Sequence, residues 1–370
     1  MNATTNSNFQ SQDRLISLDF FRGFTMFILI AEGTSLFHAM IDPSLKGTFL
    51  YFIGEQFHHH PWHGLRFWDL IQPFFMFIVG VAIPFSVSKR SARGQSPAEI
   101  RNHAIRRAFI LLLLGWGLYC IGPGYITLRF QNVLAQLSVT YIVAFFLMKQ
   151  SFKTQFIITI AILVVVEIIY RTFPVAGFDQ PFTPDKNFGA WFDLLISGEL
   201  SSGHWVSFNA IPTTAHTMWG VMAGQLLMGA KPQMQKLKIL VIFGAIGVVA
   251  GFALDYVTPI IKRICTSSFV IYSGGWTVLT LAFSYWLIDI KKIQKWAKFL
   301  IIVGMNPLFI YLFANVGGSN LIHRIVRPFT NGLFGWMGTV TADIITGFVV
   351  WFCLWYLTYW LYKRKIFIRI

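Results

Sequence analysis

Apolar runs of about 20 residues, the length needed to cross a hydrocarbon core, recur along the whole of this 370-residue chain. No polar stretch between them is long enough to fold as a separate soluble domain, so residues 1–370 read as one unit. Composition agrees, with 55% of residues hydrophobic and only 12% charged, well outside the soluble norm. The fold class expected is therefore all-α: a polytopic membrane protein with about ten transmembrane helices. By hydropathy these fall at residues 17–40, 68–88, 104–121, 132–148, 156–171, 208–228, 237–256, 268–288, 297–316 and 337–362. The opening MNATTNSNFQSQDR is polar, so no cleaved signal peptide is expected ahead of Leu15 and the first helix serves as the targeting signal.

A net charge of +15 raises nucleic acid as a partner, but the position of the charge excludes it, because the lysines and arginines sit between the apolar runs. With the N-terminus inside, 21 of the 30 fall in interior segments. They are Arg14, Arg22, six from Lys89 to Arg107, Lys149, Lys153, Lys231, Lys236, Lys238, four from Lys291 to Lys298, Lys363, Arg364, Lys365 and Arg369. The positive-inside rule then makes both termini cytoplasmic and puts residues 57–66 on the outer face. Cys120, Cys265 and Cys353 are far apart and odd in number; they suggest neither a disulfide framework nor a metal knuckle.

The segment FHHHPWHGLRFWDLIQP, residues 57–73, concentrates histidines on that outer side, where His204 also falls. Groups that titrate near neutral pH suggest proton transfer; a solvated histidine-rich loop is the bland alternative. Ionisable residues inside membrane spans are costly and tend to face a cavity or a partner. Asp19 and Arg22, three apart, can pair on one helical face. Glu32 has no basic neighbour on its own helix and is read as reaching a partner elsewhere or staying protonated. Asp69 opens a helix, where the dipole favours a carboxylate, and it is close enough in sequence to orient a histidine. Glu167 is read as bonding a neighbouring helix, and Gly80, Gly220 and Gly224 as close packing points. Asn306 and Pro307 interrupt an apolar helix.

The start RLISLDFFRG resembles that of the heparan-alpha-glucosaminide N-acetyltransferase family and its bacterial relatives, through Arg14, Ser17, Asp19, Arg22 and Gly23. A second, more specific match runs through His59, Trp62, Gly64, Leu65, Asp69, Pro73, Phe75, Phe77, Ile78 and Gly80. It selects one of the four histidines. Later echoes are RFQNVLAQLSVTY, WGVMAG, a stretch with Lys262, Thr266 and Ser268, then VGMN and KRKIFIRI. This chain departs from the pattern at Ala135 and Gln136, where many relatives have Gln-Arg, at Ala314, and at Glu32 or Gly33, where the first helix carries Asn in relatives.

The resemblance implies acetyl transfer from cytosolic acetyl-CoA to the amine of glucosamine or a glucosamine-terminated saccharide at the outer face of a cell membrane. His59 is then the catalytic histidine, as general base or acetyl carrier, with Asp69 fixing its tautomer. Trp62, Glu32, Lys262 and Ser268 are expected on the substrate side. Asn132, Gln136, Thr266 and Asn306 are expected near the donor, as groups able to steady the thioester oxygen. The expected partners are acetyl-CoA, an amino sugar or oligosaccharide and the bilayer, with a homodimer allowed, no metal and no nucleic acid. Rival readings are an O-acyltransferase of envelope glycans, a proton-coupled sugar transporter, and a zinc site at His58, His60 and His63. Adjacent histidines in an extended segment point to opposite sides, which argues against the last.

Overall fold

The computed structural model describes residues 15–368, so Arg14 and Arg369 lie outside the described residues. Fifteen α-helices and no strands are found among them. In chain order they are α1 Ile16–Ala31, α2 Leu36–Met40, α3 Phe49–Gln56, α4 Ile71–Ala92, α5 Pro97–Ile121, α6 Val133–Leu147, α7 Phe152–Thr172 and α8 Phe188–Ser197. Then follow α9 Thr214–Met228, α10 Gln233–Leu254, α11 Ser267–Tyr285, α12 Ala297–Gly304, α13 Pro307–Phe313, α14 Ser319–Phe334 and α15 Thr339–Lys363.

Five of the described helical segments are long and apolar enough to span a bilayer: Phe67–Ala92, Pro97–Ile121, Phe152–Thr172, Gln233–Leu254 and Thr339–Lys363. A sixth forms if Ala297–Gly304 and Pro307–Met337, bent by 73°, count as one. The ten expected spans therefore shrink to five or six on length and composition. The 16 residues of α1 and the 15 each of α6 and α9 fall short of the bilayer length.

Two expected helices are broken. The span at 17–40 gives way at a 3₁₀ turn, Glu32–Thr34, followed by Ser35 in the left-handed region with φ 60°. The span at 297–316 stops at Asn306, because Pro307 cannot donate the helical hydrogen bond and disfavours helical geometry in the residue before it.

The centre of the bundle is α1, α4, α9 and α11. Their apolar faces share a core that includes Phe21, Phe74, Phe77, Val81 and Leu281. The α4–α9 seam is close because both sides are glycine. A Cβ on Gly80 would lie 2.0 Å from the Thr217 carbonyl oxygen, and one on Gly220 would lie 2.2 Å from that of Phe77. The outermost helices show the opposite pattern. On α10, Phe243, Ile246 and Val249 are exposed, as side chains facing lipid are.

Candidate active site

Asp69 closes a short 3₁₀ turn, Phe67–Leu70, that leads into α4. Its two oxygens do different work. Oδ2 accepts the backbone N–H of Arg66, the residue capping the turn, at 2.9 Å and that of His60 in the preceding loop at 3.2 Å. Oδ1 accepts from His59 Nδ1 at 2.8 Å. The cap and the orienting partner are thus the same carboxylate, which is only 1% exposed. With its hydrogen on Nδ1, the imidazole keeps an unprotonated lone pair on Nε2.

A second loop meets this one. The Gly64 N–H donates to the Ile260 carbonyl at 2.8 Å. Gly64 has φ +140°, and a Cβ there would sit 2.7 Å from the His60 ring. Thr266 knots the second loop: its hydroxyl donates to the Pro259 carbonyl at 2.8 Å, accepts the Ile261 N–H at 3.0 Å, and lies 3.1 Å from the Ser268 hydroxyl. Cys265, left-handed at φ 47°, closes a turn by donating its N–H to the Lys262 carbonyl. That turn drives Lys262 inward. Its Nζ lies 3.6 Å from Asp69 Oδ1, 3.3 Å from His59 Nδ1 and 3.5 Å from the Trp68 carbonyl.

The electrostatics follow from this packing. Burial first, and then the Lys262 ammonium, hold the His59 imidazole down to about 4, against the upward pull of Asp69. Burial also lowers Lys262, opposed by Asp69, Cys265 and Glu32. Burial pushes the Cys265 thiol up to about 12. Glu32, at the end of α1, is close enough for Lys262 to feel its charge.

Of the residues singled out in the sequence, His59, Asp69 and Lys262 are in contact, and Glu32 is near. Thr266 and Ser268 stand behind Lys262 as the frame of its loop. Trp62 donates its indole N–H to the Phe182 carbonyl at 2.8 Å and packs beside His204, so it ties down the segment 173–206. Asn132 caps α6 and donates to the Tyr311 hydroxyl at 3.2 Å. Gln136 accepts from Gln72 and donates to the Gln131 carbonyl. Asn306 stands apart from them, holding the C-terminal segment through the Ile366 carbonyl and the Ile368 N–H, each at 2.9 Å. His58, His60 and His63 do not converge. His58 bonds the Gly54 carbonyl and His63 bonds Asp255, and no group of metal-ligating side chains forms among the described residues.

Trp205 was not apparent from the sequence. Its ring meets His59 edge-on at 4.9 Å, with Lys262 5.6 Å and Arg263 5.2 Å from its centroid. Nothing local to GHW marks it; only the fold brings it here.

A cavity of about 980 Å³ runs along α4 from Phe75 to Arg93, its basic end at Lys89 about 30 Å from Asp69 at 1.5 Å per residue. Arg22, Lys89, Arg93 and Arg107 line it, with Asp19 paired to Arg22 at 3.4 Å. Its wall on α4 is one face, through Phe75, Val79, Ala82, Ser86, Lys89 and Arg93. Continued backward at the same spacing, that face reaches Gln72, and Asp69 stands one turn further on, in the 3₁₀ turn that precedes α4. The six residues from Phe75 to Asp69 measure about 9 Å along the axis, and the Gln72–Gln136 bond stands in that interval.

The chain is similar to known proteins over part of its length. Over 138 residues the chain is 30% identical to heparan-alpha-glucosaminide N-acetyltransferase of Mus musculus, covering 36% of this chain and 19% of that protein. Over 135 residues it is 31% identical to the Homo sapiens protein of the same name, covering 35% and 18%. The chain thus matches about a fifth of the length of these relatives. A family model described as a domain of unknown function, DUF5009, matches residues 14–219, which hold the His59–Asp69 pair and the α4 face of the cavity. That match takes in more than half of the chain, and the protein belongs to the DUF5009 family.

Proposed function

We propose that this protein is a transmembrane acetyltransferase that moves acetyl from acetyl-CoA to the amine of glucosamine or a glucosamine-terminated saccharide. The observation that carries the reading is the pairing of His59 with Asp69, which leaves Nε2 free, at the start of a helix whose other end lines a large cavity with a basic mouth. The donor's phosphates bind at Arg22, Lys89, Arg93 and Arg107, where planar and point cations suit them. Its pantetheine arm lies along α4 toward Gln72. The similarity to an N-acetyltransferase by name supports the amine as acceptor.

In the reaction the amine nitrogen attacks the thioester carbonyl, the carbon–sulfur bond breaks and a carbon–nitrogen bond forms. His59 Nε2 takes the amine proton and CoA leaves as its thiolate, to be protonated from the imidazolium. Transfer is direct, with Asp69 stabilising the charge on the imidazole. The chain crosses the membrane ten times with both termini cytoplasmic, the bent pair of α12 with α13 and α14 making one crossing and α1, α6, α9 and α11 making four. The basic mouth faces the cytosol and His59 the outer side of the cell membrane. The test is transfer of labelled acetyl from acetyl-CoA to a panel of hexosamines and oligosaccharides by purified protein, beside His59→Ala. Amide product from the wild type alone is expected; equal product from both ends the assignment. Label retained on His59 without acceptor would replace direct transfer with an acetyl carrier.

A further inference from the structure

Three titratable side chains meet at a single nitrogen. His59 Nδ1 is 2.8 Å from Asp69 Oδ1 and 3.3 Å from Lys262 Nζ. In a neutral ring that nitrogen carries either a hydrogen or a lone pair, and it cannot serve both neighbours. A lone pair offered to the ammonium would also face the carboxylate oxygen at the shorter distance. The hydrogen is therefore on Nδ1 and goes to Asp69. The ammonium then touches the ring edge without a hydrogen bond to it, and its donors go to the Trp68 carbonyl and Asp69. It sits behind the imidazole, on the side away from Nε2. This is the wrong side for a group that contacts substrate, as the sequence had suggested for Lys262.

We propose that Lys262 is a positioning residue for His59: its fixed charge at the Nδ1 edge offsets Asp69, so that the ring stays neutral and Nε2 stays unprotonated and available. The proposal rests on His59 as the acting group. The charges around the trio support it. His59 is faced by Asp69 from the start of α4 and by Lys262 and Arg263 from the 255–266 loop, while the Arg66 guanidinium bonds the His59 carbonyl and Glu55. Lys262 is faced by Asp69, Cys265 and, farther off, Glu32. Cys265 remains an uncharged thiol. Two cations thus oppose one carboxylate at the ring.

Burial alone would also disfavour the imidazolium, and the experiment separates the two. Diethyl pyrocarbonate modifies only unprotonated imidazole, so the pH midpoint of His59 modification, read on its peptide by mass spectrometry in the full detergent-solubilised chain, reports its protonation. Wild type is expected to titrate well below the ordinary value of about 6.5. Lys262→Met keeps the burial and removes the charge, and is expected to raise the midpoint by about one unit or more. Lys262→Gln should do the same, and Lys262→Arg should leave the midpoint low. A wild-type midpoint at or above 6.5, or neutral variants that do not move it, overturns the proposal. If neither neutral variant folds, Lys262→Ala titrated with and without added ethylammonium, which restores a cation in the vacated space, takes their place, and a midpoint that the amine does not lower overturns the proposal. No donor or sugar is present, so a failed transfer assay beside shifted midpoints would remove the proposed function and leave the charge assignment standing.

Discussion

Asp69 divides its oxygens between a helix start and an imidazole, so Asp69→Asn tests both roles at once. An amide turned with its NH₂ toward Nδ1 would push the ring hydrogen to Nε2 and block it. Transfer activity in Asp69→Asn should fall by roughly 10²–10⁴-fold, and His59→Ala should fall comparably. The double variant should lose little more than either single one, because the two act as a unit; initial rates of acetyl transfer decide this. Acid stability gives an independent reading. His59 sits at about 4 in the fold against an ordinary 6.5, so between these values the unfolded chain binds more protons. Stability associated with His59 is then complete above about pH 6.5 and lost as pH falls toward 4, by at most about 3 kcal/mol. Thermal unfolding of wild type and His59→Asn at pH 7 and pH 4.5 should show a gap that narrows or reverses in acid. Spacing put Asp69 at a helix start beside four histidines, but it was the resemblance of the motif from His59 to Gly80 that singled out His59. Trp205 and Arg263 were not legible as neighbours of His59, since their contact depends on loops far apart in the chain.

Among the elements, the α4–α9 seam is the one that sequence and structure describe alike. Its glycines were readable as packing points, and their Cβ positions are filled by backbone of the facing helix. Gly80→Val should therefore force α4 and α9 apart and cost about 1–3 kcal/mol or more, and activity should fall with it because α4 carries the cavity wall and follows directly on the turn that holds Asp69. Gly117→Ala on α5, with no heavy atom within 4 Å of the added carbon, should be neutral or slightly stabilising. Survival of monodisperse protein after heating in detergent compares the two. Other elements were hidden from hydropathy. Helix α14 was missed because His323, Arg324 and Arg327 dilute its average. Its periodicity carried the signal, with Leu321, Ile325, Phe329 and Leu333 recurring every fourth residue and exposed. The break after α1 was missed for the opposite reason: Glu32, Gly33 and Ser35 are too few to interrupt an apolar average, though Ser35 turns left-handed.

For the whole molecule, the decisive feature is polarity along α4, with the carboxylate–imidazole pair at one end and cations at the other. The two ends should therefore fail differently. Reversing charge at Lys89 and Arg93 removes two charge-assisted contacts to phosphate, each worth about 1.5–3 kcal/mol. The double variant Lys89→Glu, Arg93→Glu should raise KM for acetyl-CoA at least about tenfold, with the acceptor KM within about twofold of wild type. Added salt should weaken donor binding to the wild type and narrow the difference. Uniform loss against both substrates would mean that the cavity is only a packing defect. Sidedness follows from the same polarity, since a donor entering at Arg93 and an acceptor meeting His59 need never share a compartment. In sealed vesicles of uniform orientation, acetyl-CoA supplied on the side of the basic mouth should acetylate glucosamine enclosed on the other side, and the Lys89 and Arg93 variant should slow that transfer in proportion to its donor KM. Product formed only when both substrates are on one side would place the reacting carbonyl short of the Gln72–Gln136 bond, on the cavity's side of it, and take the reaction away from His59.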